Sequence, residues 1–450
     1  MKLFWLACLL ALPSCLDEAT DSTSDDLSLP PLCLISPGST LHKADVTAAE
    51  TWAGNTVHVV TGNISFKAPV QIGACAIVQL DPGASITIPA GGSLTTLVNS
   101  SGLGVTFARH GATAWSQISV TGGTLALTGA KINGGGVAKG GAIVAKSGTL
   151  LVQNTTMTDA VEFGFDLQDG ATIDPTSYNL AIHGTAAPVR VYPNLVGSLP
   201  SGDYTGNTNN AIVVAVPGRV KDSQTWRLLG VPYQIGDGYT TGTVDVFGDT
   251  IGAHYVNRAV LTLVPGAELR FKHFTQLRIE PDMNHTEPLG LMQVTVTRGA
   301  LVANGLVNGQ TVKPIVFTSA ESPQQAGDWQ GIRFGTSTDQ SSLSWVAVLY
   351  AGQDITEEVG CPSLATSYMN AGAVLVFTKD PAYPFMQNVV IENSAANGIV
   401  RGWRGYPGTD FTDPTYNIQF QGFTPCKQTA PMPTGAQNQM GIYCPPVPGC

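Results

Sequence analysis

Between Thr311 and Gly352 the chain carries three short apolar runs, each closed by Gly, Ser or Asp. They are Lys313-Pro314-Ile315-Val316-Phe317-Thr318-Ser319, Gly327-Asp328-Trp329-Gln330-Gly331-Ile332-Arg333-Phe334, and the run from Ser342 through Trp345-Val346-Ala347-Val348-Leu349 to Gly352. Runs this short, alternating inward and outward, predict strands rather than helices. Ser85-Ile86-Thr87-Ile88 puts both isoleucines on one face, and Thr124-Leu125-Ala126-Leu127 does the same with its leucines. Thr149-Leu150-Leu151-Val152 and Val389-Val390-Ile391 are further runs of strand length. No amphipathic helix of ordinary length separates them, which argues against a βαβ fold. A sandwich or propeller would also supply short strands and turns. The recurring order of apolar pair, Gly or Asn corner, apolar pair favours an all-β parallel β-helix, in which each strand stacks on its equivalent ~4.8 Å away.

The pattern is written twice. Thr51-Trp52, Val57-His58-Val59-Val60 and Val78-Gln79-Leu80-Asp81-Pro82-Gly83-Ala84 are answered by Thr225-Trp226, Val231-Pro232-Tyr233-Gln234-Ile235 and Leu261-Thr262-Leu263-Val264-Pro265-Gly266-Ala267. The order continues: Val105-Thr106-Phe107 with Ile315-Val316-Phe317, Trp115 with Trp329, Gly141-Ala142-Ile143-Val144 with Gly372-Ala373-Val374-Leu375, and Asp174-Pro175-Thr176 with Asp413-Pro414-Thr415. Several matches in one order predict a tandem duplication, spanning about Thr51 to Pro188 and Thr225 to Gly422. The second copy is longer through insertions at Arg270 to Leu291, Ser319 to Gly327, Gln353 to Tyr368 and Arg401 to Thr409. The expected organisation is a signal peptide at 1–14, a tether at 15–40, a first copy at 41–190, a joining coil at 191–224, a second copy at 225–422 and a Cys- and Pro-rich cap at 423–450.

With Pro-Gly-Ala before a strand and Gly-Asp-Trp-x-Gly-Ile after a polar loop, the chain from about Thr51 to Gly422 resembles the right-handed parallel β-helix proteins anchored on bacterial surfaces, within the broad pectate-lyase-like superfamily. The resemblance implies the fold. It implies no one activity, since that scaffold carries lyases, hydrolases, adhesins and inert stalks.

Composition sharpens this picture at three points. Hydrophobic residues at 43% against 12% charged supply a large core, and 51 glycines among 450 residues suit many tight corners. The net charge of −10, without a basic stripe, disfavours nucleic acid as a partner. The first residues, with an apolar run from Leu3 to Leu12, read as an export signal too short to span a bilayer.

Leu12-Pro13-Ser14-Cys15 resembles the lipobox of bacterial lipoproteins, which implies a lipid on Cys15 and a membrane partner, outer membrane or cell surface in a Gram-negative-type envelope. An ordinary signal peptide cut near Ser14 would leave Cys15 a plain thiol. The acidic, Ser/Thr-rich stretch Asp17 to Ser28 suits a flexible tether. Cys33, Cys75, Cys361, Cys426, Cys444 and Cys450 remain as disulfide candidates of undetermined connectivity, expected to staple the two ends of the body.

For chemistry, a polysaccharide lyase or glycosidase needs converging carboxylates, as a pair or a Ca²⁺ site. Asp159, Glu162, Asp166 and Asp169, followed by Asp174, form the densest acidic stretch. Across the copies they align with Asn393, Ala396, Val400 and Trp403, so only Asp174 keeps an acidic counterpart, Asp413. That weakens the catalytic reading, and Asp-Pro is a common turn opener. For binding, Arg401, Trp403, Arg404 and Tyr406 on a Gly-rich insertion could stack on sugar rings and clamp acidic groups, or the Trp could fold back over the flank. Asp354, Glu357 and Glu358 could hold a cation such as Ca²⁺, or simply be solvated. The expected function is a surface-anchored structural or adhesive protein presenting loops to polysaccharide or a cell-surface partner, without a cofactor. The alternative is a lyase or hydrolase acting on an acidic polysaccharide.

Overall fold

The computed structural model describes residues 33–251, 254–255, 257–280, 299–335, 338–354, 371–403, 408–422 and 426–431. The expected leader, Cys15 and most of the tether lie outside these residues, as do Cys361, Cys444 and Cys450.

Nearly every described element is a short strand, and the main ladders are parallel. Val57–Val60 pairs with Ile77–Leu80 and that strand with Thr106–Arg109, building a first face. Asn63–Ser65, Ser85–Pro89 and the start of Gln117–Thr128 build a second. Glu50–Trp52, Pro69–Ile72 and Ser93–Thr96 build a third. The chain visits the faces in rotation, and Val60 opposite Leu80 or Ile143 opposite Phe165 shows a coil closing in ~20–25 residues, lengthened where loops intervene, as between Ile86 and Ile118 or Leu269 and Phe317. This stacking is consistent with a parallel β-solenoid.

The alternation read from the sequence decides which side chains enter the lumen. In Ile77–Leu80 and Ser85–Pro89 every second residue is buried, with Val78, Leu80, Ile86 and Ile88 fully so. On the second face one register column runs from Ile64 through Ile118, Phe165, Ile212, Leu269 and Val348 to Phe420, each residue paired with the next coil. One hydrophobic cluster fills the lumen along this length.

Corners are set by residues that tolerate positive φ. Gly83 (φ 73°) and Gly266 (φ 85°) close the Pro-Gly-Ala turns that lead onto second-face strands. Asn154 and Asn179, both left-handed, stack as neighbours with Asn179 Nδ2 donating to Asn154 Oδ1 at 2.9 Å. Asn388 and Asn417 repeat the arrangement at 2.8 Å.

On the third face a 3₁₀ turn, Pro193–Ser198, stands in the next coil after Phe163–Ile173. It is bound to the following coil by Asn194 Oδ1, which accepts from the Lys221 and Asp222 amides, and by Gln224 Oε1, which accepts from the Gly197 amide at 2.7 Å. Beyond it this side is carried by a six-stranded sheet running from Gly218–Val220 to Asn397–Trp403.

The repeated motifs occupy related but shifted places. Trp115 precedes a second-face strand, whereas Trp329 precedes a strand of the six-stranded sheet, so from there on the second set lies one face further round. Both indoles are fully buried and donate to a backbone carbonyl at 2.9 Å, that of Asn133 or Leu349. Upstream the correspondence differs. Three strands separate Trp52 from Ile77–Leu80, whereas the described residues from Trp226 to Ala259–Leu263 carry Tyr233–Ile235 and Gly242–Val246 on the faces. The shared Pro-Gly-Ala therefore marks one kind of corner, at Gly83 and Gly266, that leads onto the second face.

Candidate functional site

In a coil, residues adjacent in sequence run around the perimeter, while spatial neighbours sit one coil away. The acidic stretch is dispersed by this rule. Asp159, left-handed at φ 57°, sits at the corner before the second face, and its Oδ2 accepts from Asn133 Nδ2 at 2.8 Å. Asp166 points outward from Phe163–Ile173 between the buried Phe165 and Leu167. Asp169 is exposed beyond that face. Asp174 opens a turn in which its carboxylate accepts from the Thr176 amide and hydroxyl, holding its pKa below the usual carboxylate range. Asp413 does the same with Thr415. The candidates do not converge on one groove.

Asp166 has a definite partner. Register places Arg190 directly across from it, and the guanidinium binds it in bidentate fashion, Nε–Oδ1 2.9 Å and Nη2–Oδ2 2.7 Å. Asp237 Oδ2 lies 3.5 Å from Nη1, making a triad of which Asp166 and Asp237 are almost wholly buried. The hydrogen bond to Asp166 raises the Arg190 pKa above its ordinary value. Burial disfavours the Asp237 anion, but the Tyr239 and Thr240 amides, the Thr240 hydroxyl and Arg190 outweigh it and keep that carboxyl below the usual range.

The insertion residues are placed differently from one another. Arg401 and Trp403 belong to a strand buried along its whole length. Arg401 extends the inward column of Val246, Ile279, Phe334 and Val376. There it donates from Nε to the Thr429 carbonyl and from Nη1 to the Thr409 carbonyl. Trp403 is 1% exposed and meets Phe411 edge-on, so neither residue offers a face to a ligand. Arg404 and Tyr406 lie outside the described residues. Asp354 is exposed and accepts at its carbonyl from Gln330, and Glu357 and Glu358 lie outside. Among the described residues no group of three or more His, Cys, Asp or Glu side chains is placed to hold a metal ion.

Two arrangements carry no signature in the sequence. At the first coils His42 and His58 occupy lumen positions above the column of Val78 and Val60. Their rings are linked by a 3.0 Å hydrogen bond, and His42 stacks on Trp52 at 3.8 Å. Burial, with His58 adding to it, lowers the His42 pKa to about 4. Below this plug Cys33 is bonded to Cys75, with Cα atoms 5.5 Å apart, and Cys426 is also disulfide-bonded. The second arrangement is the turn after Tyr233–Ile235, which carries Tyr239 back across the second face to Glu162 and Lys139. Its only trace in sequence is the Gly236-Asp237-Gly238 run that makes the turn possible.

No protein-family model, curated protein or solved structure matches this chain. Among the described residues no helix is long and apolar enough to cross a membrane.

Proposed function

We propose that the chain is an exported, surface-anchored protein built as a right-handed parallel β-helix from a tandem duplication, with a structural or adhesive role. The observation that carries this reading is the second-face column from Ile64 to Phe420, which at ~4.8 Å per coil makes a stiff core roughly 60 Å long. Such a rod suits the task of holding lateral loops away from a membrane, where they would contact polysaccharide or another surface. Shared corner chemistry, recurring in one order but shifted by one face, supports the duplication: the two stacked Asn pairs, the two Asp-x-Thr turns, and the buried indoles of Trp115 and Trp329. The lipid on Cys15 would supply the anchor, and no cofactor or nucleic acid enters the reading.

Catalysis is the weaker reading because its best carboxylates already have partners. A general base or nucleophile needs a lone pair, and a general acid a proton, facing substrate, whereas both Asp166 oxygens accept from the Arg190 guanidinium. Mass spectrometry of the mature N-terminus should find a diacylglyceryl Cys15, and a Cys15→Ser variant should leave the membrane fraction. A glycan array run beside lyase and reducing-end assays should give binding without turnover. Turnover on an acidic polysaccharide, abolished by Asp166→Asn, would overturn the adhesive reading.

A further inference from the structure

We propose that the surface around Tyr239 is a carbohydrate subsite that takes one neutral pyranose unit of a polysaccharide; this rests on the adhesive reading above. Tyr239, 53% exposed, is the most exposed Phe, Tyr or Trp among the described residues. Its backbone is nonetheless fixed. The Asp237 carboxylate accepts from the Tyr239 and Thr240 amides, both at 2.9 Å, and from the Thr240 hydroxyl at 3.0 Å. Asp237 is tied in turn to Arg190, itself locked by Asp166. The ion triad therefore acts as the foundation of an exposed aromatic, which needs no ordering when a ligand arrives.

The groups around the ring match the two aspects of a sugar. A pyranose has an apolar face of C–H groups, which stacks on an aromatic ring, and a rim of hydroxyls that both donate and accept. Glu162 Oε1 lies 3.4 Å from the Tyr239 hydroxyl, an acceptor for hydroxyls at the rim. Lys139 Nζ lies over one face of the ring, 4.5 Å from its centroid, and supplies donors there, so the sugar stacks on the opposite face. Val137 and Val161, two residues before Lys139 and one before Glu162, are 43% and 46% exposed. One carboxylate and one ammonium cancel, so the patch has no net attraction for a polyanion. The favoured ligand is thus an uncharged hexose unit rather than an acidic sugar.

The test is titration of the mature full-length chain with neutral glucan, mannan and galactan oligosaccharides and with oligogalacturonate. Binding to a neutral oligosaccharide should weaken about tenfold or more in Tyr239→Ala and survive largely in Tyr239→Phe, which keeps the stacking face. The thermal midpoint of Tyr239→Ala should match the parent, since the ring is exposed. Neutral-sugar binding unchanged in Tyr239→Ala, or preference for oligogalacturonate, would overturn the subsite and leave the adhesive reading standing. Absence of binding to any glycan in the parent chain would overturn the subsite together with polysaccharide as the partner of the adhesive reading.

Discussion

Single residues in this solenoid divide by whether a neighbouring coil depends on them. Gly83 has φ 73° with open space where a Cβ would go, so Gly83→Ala should cost only the left-handed strain, about 1 kcal/mol. Gly92 presses on the coil beneath it: an added Cβ would lie 1.7 Å from the Phe66 carbonyl oxygen. Gly92→Ala must displace backbone and should cost roughly 3 kcal/mol or more, as read by chemical denaturation of the two variants side by side. Arg190→Met should be as damaging, roughly 3–5 kcal/mol, because it strands the buried Asp166 and Asp237 carboxylates without a counter-charge. If that variant unfolds like the parent, the triad is not the foundation described for Tyr239.

At the level of elements, the ends of the lumen are the vulnerable places, since a coil there has a neighbour on one side only. The N-terminal end is closed by His42, His58 and Trp52 and clamped by Cys33–Cys75, across a sequence separation of 42. Loop-closure entropy assigns such a bridge roughly 4 kcal/mol. Selective reduction or Cys75→Ser should therefore raise hydrogen exchange in the coils from Ser39 to Ile72 more than in those near Ile212.

The same end should respond to acid. Folding holds the His42 pKa at about 4, below its ordinary 6.5, so between these values the unfolded chain binds the extra proton. The plug's contribution is complete above pH ~6.5 and declines as pH falls toward 4. Asp174 and Asp413, lowered from 3.8 by their Thr partners, lose their contribution only below that range. Exchange protection of the first coils should fall between pH 6.5 and 4, and His42→Phe should flatten that slope.

At the scale of the whole molecule the column from Ile64 to Phe420 has no internal break, because Val189, Ile212 and Tyr233 carry it past the 3₁₀ turn. Small-angle scattering should report an elongated particle and circular dichroism a strand-dominated spectrum. A compact sphere would contradict the stacked register. Continuity here also means that a fragment ending near Val191 would expose the lumen face of Val189 and Ile182, so it should aggregate rather than behave as an independent domain.

The sequence determined what depends on local period. Alternation at Ile86 and Ile88 or Leu125 and Leu127 chose strand and inner face, and Gly and Asn chose the corners. It could not reveal which residues meet across coils, because that depends on the exact length of every intervening corner. Asp166 finds Arg190 only because the loop between them returns the strand in register, and Arg401 enters the lumen only because it inherits the parity of Val376. Tyr239 faces solvent beside Glu162 because its turn doubles back over neighbouring coils, which no local pattern encodes. Strand and corner preferences are written residue by residue. The pairing of charges, the plug at the N-terminal end and the exposed ring arise from three-dimensional register, and only the tertiary structure decides them.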